Sequence, residues 1–234
     1  LSRVFKFKQF ELDDAGAAMK VGTDAVLLGC LAAHPHPAHI LDIGTGSGLI
    51  ALQLAQRFAH AQVHAVELDE SAAAQALSNF QSSPWSDRLH AHHADFLEWS
   101  TSLRFDLMVC NPPFYPNSFP IEEVARRNAR VQNRLDLATL AQRIGQLASS
   151  NTLFYYVLPS HFHPQLAQAL AKSGWYLHHQ VDIKPKADKA NNRVIAGWGK
   201  TRQQPKLEEL CLRKEDGSYT EAYLELTRDF YLFA

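Results

Sequence analysis

Apolar positions along this chain switch repeatedly between a spacing of two and one of about 3.6, which predicts strands alternating with helices. Val4 to Leu12 reads as a strand or hairpin arm. Thr23-Asp24 then supply N-capping chemistry for a helix through Leu27, Leu28 and Leu31, and His34-Pro35-His36-Pro37 stops it. His39 to Ile43 is a first buried strand, and Leu49, Ile50, Leu52, Leu54 and Ala55 have the spacing of a core-facing helix. Val63 to Leu68 and the Ala-rich Ser71 to Phe80 repeat the pair. Strands follow at Leu89 to His93, Phe105 to Cys110 and Leu153 to Leu158, with a helix from Leu137 to Ala148 before the last of them. Pro164 suits the first turn of another helix, which Gly174 ends. Trp175 to Ile183 and Val194 to Trp198 are two more strands, separated by a polar, basic loop from Lys184 to Arg193. This alternation calls for a doubly wound α/β fold: a mostly parallel sheet with helices on both faces and ligands beyond the carboxyl ends of its strands.

With 234 residues and 46% hydrophobic composition, the chain can bury one sizeable core. Residues 1–234 read as a single domain, with 1–37 as an N-terminal strand and helix extension. Lys and Arg number 23 against 24 Asp and Glu, so a polyanionic partner must be met by a local basic patch rather than by the overall field. Cys30, Cys110 and Cys211 are odd in number and form no CxxC pair, which argues against a disulfide framework or a structural zinc. Twelve histidines share no ligand spacing with cysteines or carboxylates, and surface and loop positions are expected for most of them, with no metal. No apolar run reaches the roughly 18 residues of a membrane span, so a soluble, cytoplasmic protein is expected. The tail beyond Lys206 carries a turn signal at Asp216-Gly217 and aromatics, Tyr219 to Phe233, expected to cover the sheet.

Two strand ends present specialised chemistry. Asp42-Ile43-Gly44-Thr45-Gly46-Ser47-Gly48 follows the first buried strand. Its glycine spacing differs from the G-x-G-x-x-G of dinucleotide enzymes. Missing side chains let a ligand lie against the backbone, and Asp42 offers a carboxylate to an ammonium group, a pairing that suits S-adenosylmethionine (SAM). Glu67 ends the next strand about 20 residues on, where a carboxylate can accept ribose hydroxyls. Asp95-Phe96 would place an acid beside an adenine amino group and a ring near its face, with a simple capping role for Asp95 a near rival.

The other strand end carries Asn111-Pro112-Pro113-Phe114. An amide, two prolines that restrict the backbone and an aromatic face suit the holding of a planar group by its amino edge. The Asn111 side-chain oxygen and the Pro112 carbonyl can accept two N–H bonds, Pro113 fixes that carbonyl, and Phe114 offers a stacking face for a base turned out of its stack. Tyr115 either flanks the base or is buried. Arg126, Arg127, Arg130 and Arg134 follow at helical spacing, suited either to phosphates or to a solvated face paired with Glu122 and Glu123. Lys184, Lys186, Lys189 and Arg193 form a second candidate RNA-binding patch.

The order Met19-Lys20-Val21-Gly22-Thr23-Asp24, the glycine loop, Glu67, Asp95 and Asn111-Pro112-Pro113-Phe114 resembles the class I SAM-dependent methyltransferases that modify exocyclic amino groups. More narrowly, Phe5-Lys6-Phe7-Lys8-Gln9-Phe10, Met19 to Asp24 and Asp229-Phe230-Tyr231-Leu232 resemble the bacterial tRNA1(Val) adenine N6-methyltransferases. That resemblance implies a Rossmann-like, seven-stranded sheet with the last strand antiparallel. It implies SAM held by Asp42, Gly44, Gly46 and Gly48, by Glu67 at the ribose and by Asp95 at the adenine, with Lys20, Thr23 and Asp24 bordering it. It also implies a tRNA substrate methylated at the adenosine 3′ of the anticodon. Three alternatives stand beside it: an rRNA guanine N2-methyltransferase, a protein glutamine N5-methyltransferase, and a non-catalytic SAM- or RNA-binding module. A monomer is expected.

Overall fold

The computed structural model describes residues 4–15, 21–112 and 137–234. Its centre is an eight-stranded sheet. In chain order the strands are β3 (His39–Ile43), β4 (Gln62–Glu67), β5 (Leu89–His93), β6 (Phe105–Cys110), β7 (Ala148–Pro159), β8 (Tyr176–Lys186), β9 (Arg193–Gly199) and β10 (Lys206–Arg213). Across the sheet they run β10-β8-β9-β7-β6-β3-β4-β5. Only β9 opposes its neighbours, being antiparallel to both β7 and β8. A separate hairpin pairs β1 (Val4–Lys6) with β2 (Glu11–Asp13).

The strand β10 is the addition to the expected seven. Its sequence, Lys206-Leu207-Glu208-Glu209-Leu210-Cys211-Leu212-Arg213, is charged because it lies at an edge, with Leu207 66% exposed. Edge strands use such charges to discourage pairing with other chains. The segment Lys184 to Arg193 is also less of a loop than expected, since β8 runs to Lys186 and β9 begins at Arg193.

Alternation along the strands divides the core into two layers. Ile40, Leu107, Val109, Tyr155, Val157 and Ile195 point to one face, where helices α1 (Thr23–Leu31), α2 (Leu49–Arg57) and α3 (Glu70–Gln81) contribute Leu27, Leu52 and Phe80. Leu41, Ile43, Met108, Cys110, Phe154 and Tyr156 point to the other, packed by α4 (Leu137–Leu147) and α5 (His163–Lys172). Each such leucine or phenylalanine contributes about 1.5 to 3 kcal/mol by leaving water. The last helix, α6 (Glu221–Thr227), and the aromatics Tyr223, Phe230 and Tyr231 join the first layer, where Tyr231 stacks on Phe7 of the N-terminal hairpin.

Two local expectations need correction. Thr23 and Asp24 lie inside α1, whose N-cap is Gly22 with no side-chain capping bond. Several histidines belong to the sheet rather than to loops: His64 on β4 stacks on His90 and His92 of β5, and burial pushes His64 down to about 4. Among the described residues no group of three or more His, Cys, Asp or Glu side chains could hold a metal ion. No described helix is long and apolar enough to cross a membrane.

Candidate active site

The glycine loop links β3 to α2 through three residues with positive φ, at 70° for Gly44, 57° for Gly46 and 89° for Gly48. A Cβ built on Gly44 or Gly46 would meet nothing within 4 Å, so both open toward free space. Gly48 differs, because a Cβ there would lie 2.5 Å from Cε1 of Phe80. Its absent side chain lets α2 start close against α3.

Asp42 lies beneath the loop and is fully buried. Its Oδ2 accepts the Thr45 hydroxyl at 2.6 Å and the Ala51 backbone N–H at 3.2 Å, which ties the loop to the first turns of α2. Its Oδ1 is buried with no partner. Burial raises its carboxyl to about 7; Thr45 and Ala51 oppose that shift, and the charge of Glu67 adds to it. Glu67 reaches over from β4, its Oε2 accepting the Gly46 N–H at 2.9 Å and its Oε1 the Asp69 N–H at 2.9 Å. Each oxygen keeps a lone pair for a hydroxyl. Asp95 accepts the Leu97 N–H at 2.9 Å as a turn cap, while Phe96 is buried in the second core layer with 7% exposure.

The open space is a cleft of about 400 Å³ bounded by Val21 to Ala25, Gly44 to Ser47, Leu49, Ile50, Asn111, Pro112, Val157, Pro159 and Arg193. Five parts of the chain therefore converge: the start of α1, the glycine loop and the first residues of α2, the end of β6, the end of β7 and the start of β9. Of the residues singled out in the sequence, Thr23, Asp24, Gly44, Gly46, Asn111, Pro112 and Arg193 line this space together. Asp42, Gly48 and Glu67 support it from below or beside, and Asp95 and Phe96 sit at the next strand end. Lys20, Pro113, Phe114, Tyr115, Arg126, Arg127, Arg130 and Arg134 lie outside the described residues.

The second basic patch is largely paired within the protein. Lys184 meets Glu209 at 2.7 Å, Lys189 meets Asp188 at 3.2 Å, and Arg193 meets Asp24 at 2.7 Å. Sequence reading also missed contributors. Thr45 holds Asp42, and Val157 and Pro159 end the strand beside β6, a position that the topology alone would have flagged. Asn79 on α3 is the least obvious: its amide N–H groups go to the carbonyls of Ser47 and Asp13, each at 2.8 Å, and its Oδ1 accepts the Asp13 N–H at 3.1 Å. A lone buried asparagine in an alanine-rich helix was the available signal.

Residues 16–131 match the family model "Methyltransferase small domain". A tRNA1(Val) (adenine(37)-N6)-methyltransferase of Vibrio vulnificus (strain YJ016) is 38% identical over 97% of this chain and 95% of its own length. One of Klebsiella pneumoniae (strain 342) is 39% identical over 98% and 95%. Among solved structures, a predicted O-methyltransferase, protein Atu636 from Agrobacterium tumefaciens, superposes with a TM-score of 0.68 at 18% identity, covering 88% of this chain and 96% of the other. A glycopeptide N-methyltransferase in complex with SAM gives 0.55 at 14% identity over 78% and 95%. At those identities the structural likenesses establish the fold: class I SAM methyltransferase.

Proposed function

The chain belongs to the tRNA1(Val) (adenine(37)-N6)-methyltransferase family, and we propose that it methylates N6 of adenosine 37 in tRNA1(Val), using SAM as donor. The observation that carries this reading is the meeting of Asn111 and Pro112 with the glycine loop in one cleft.

The residues present fit the donor. Gly44 and Gly46 leave room where any side chain would project, Glu67 offers lone pairs beside them, and the unpartnered Asp42 Oδ1 adds negative potential under the loop. When bound, SAM supplies an electrophilic methyl group on a sulfonium. The chain's own residues do the rest by placement. The exocyclic nitrogen of adenine is a weak nucleophile because its lone pair is delocalised into the ring. Asn111 Oδ1 and the Pro112 carbonyl accept its two N–H bonds, which draws density onto nitrogen as it pyramidalises and holds it on the cofactor side of the cleft. Orientation of this kind accounts for much of the acceleration in such sites. Phe114, outside the described residues, is assigned the stacking face for the flipped base.

The test is incubation of purified protein and SAM with unmodified tRNA1(Val) transcript and, in parallel, with rRNA, each followed by nucleoside mass spectrometry. N6-methyladenosine is expected, and a transcript with guanosine at position 37 should receive no methyl group. N2-methylguanosine from rRNA, or no product at all, would overturn the reading.

A further inference from the structure

Arg193 stands where the substrate side of the cleft must be. The carboxyl ends of β3, β4 and β5 carry the glycine loop, Glu67 and Asp95, the cofactor half. β6 carries Asn111 at the boundary. The next positions along the sheet belong to β7, ending at Pro159, and to β9. Because β9 is antiparallel, its first residue lies at the same edge, and Arg193 pairs directly with Pro159. Arg193 and the cofactor loops thus lie on opposite sides of Asn111.

The guanidinium is held in one orientation. Its Nε donates to Asp24 Oδ2 at 2.7 Å, and its Nη1 donates to the Asn192 carbonyl at 2.9 Å. Among the described residues Nη2 has no protein partner. The ion pair is about one-third exposed on both sides, at 35% and 37%. Pairs so exposed contribute little to folding, so stability does not account for an arginine fixed at the rim of a cleft. An Nη1–Nη2 edge with donors to spare matches two oxygens of a phosphate, as a lysine ammonium cannot. A base turned out of its stack brings its own backbone phosphates to the mouth of the pocket that receives it.

We propose that Arg193 clamps a backbone phosphate adjoining the nucleotide being methylated, and that Asp24 is the positioning residue that aims it. This rests on the tRNA methylation reading above and adds a contact that sets the register of the RNA at the cleft.

The experiment uses the full chain and unmodified tRNA transcript. Wild-type enzyme must first yield N6-methyladenosine; failure there overturns the parent reading and this proposal with it, whereas failure of this proposal alone shows only in the variants. Arg193→Ala should then raise the tRNA KM roughly ten- to a hundredfold, the scale of a lost charge-assisted hydrogen bond. It should also flatten the dependence of log KM on log salt by about 0.7 to 0.9, one phosphate contact. Calorimetry should show its SAM affinity unchanged. Arg193→Lys should keep the salt slope but not the wild-type KM, because the charge remains and the fork is lost. Asp24→Asn should raise KM while keeping the slope, since the guanidinium is present but less well aimed. Melting curves establish that each variant is folded. A wild-type KM and slope in folded Arg193→Ala would overturn the proposal. So would a loss confined to SAM affinity, which would make the pair part of the cofactor site.

Discussion

The loop glycines should separate folding from cofactor binding. Gly46→Ala forces a side chain onto φ 57°, at a left-handed cost of about 1 to 2 kcal/mol, but its Cβ meets no atom within 4 Å. Gly48→Ala carries the same kind of strain at φ 89° and drives its Cβ to 2.5 Å from Phe80 Cε1. Phe80 is 1% exposed and cannot swing away. Overpacking of that sort adds about 1 to 3 kcal/mol, for about 2 to 5 in all. A chain of this size loses about 2 to 4 °C of melting temperature per kcal/mol, so Gly46→Ala should fall by about 2 to 8 °C and Gly48→Ala by about 4 to 20 °C. The order for SAM should be reversed. The Gly46 methyl would occupy ligand space and weaken binding at least about tenfold, or about 1.4 kcal/mol, whereas the Gly48 methyl points into the core. Scanning and titration calorimetry on the same preparations give both quantities. Equal losses of stability with SAM affinity intact in Gly46→Ala would refute the assignment of the open side of the loop to the cofactor.

Asn111→Ala should lower methyl transfer by at least about a hundredfold, as when a transition-state hydrogen-bond partner is lost, with SAM affinity nearly unchanged in titration calorimetry. Asn79→Ala strands the carbonyls of Ser47 and Asp13 and should cost about 1 to 3 kcal/mol in denaturant unfolding, together with weaker SAM binding because Ser47 is part of the loop. Asp42 has a pH signature. Its carboxyl titrates near 7 in the folded chain against about 3.9 when unfolded, so between those values the native state binds the extra proton. Stability of the free protein should therefore be greatest below about pH 4, decline as pH rises toward 7 and flatten above, after allowance for other groups. Asp42→Asn should remove that component of the slope. The cationic donor favours the ionised form, so wild-type SAM affinity should rise from pH 6 to 8, and the Asp42→Asn variant should lack the rise.

The cofactor half was legible because its determinants are local. A β-rich run, glycines at alternate positions and an acid at the next strand end each sit where short-range geometry requires them, and β3, α2, β4 and α3 emerged within one or two residues. The strand β10 was obscured because an edge strand carries charges that resemble a solvated tail. Thr23 was read as a cap because Ser and Thr usually cap, whereas Gly22 takes that place at φ −125°. The histidine stack on β4 and β5 was missed because it depends on the register of two separate strands, which sets His64 opposite His90. The Asp24–Arg193 pair spans 169 residues, and no local pattern announces it.

The ends of the chain carried the finer resemblance, and the structure gives a physical reason for their importance. Phe5 packs at a tilt against Phe7, Phe7 stacks on both Phe10 and Tyr231, and Tyr231 stacks on Phe233. The Lys8 N–H donates to the Phe230 carbonyl at 2.8 Å, so the hairpin is fastened to the tail by backbone as well as by rings. From that hairpin, Asp13 bonds Asn79, and Asn79 bonds Ser47 in the glycine loop. Asp14 accepts the Val21 N–H at 3.1 Å, where the chain enters the opposite wall of the cleft. Two walls of the site are therefore braced from one N-terminal hairpin, which the C-terminal aromatics hold in place. Truncating the tail before Asp229 should consequently weaken SAM binding without removing a single cleft-lining residue. Wild-type affinity in a folded truncation would show that Asn79 and Asp14 hold the loop unaided.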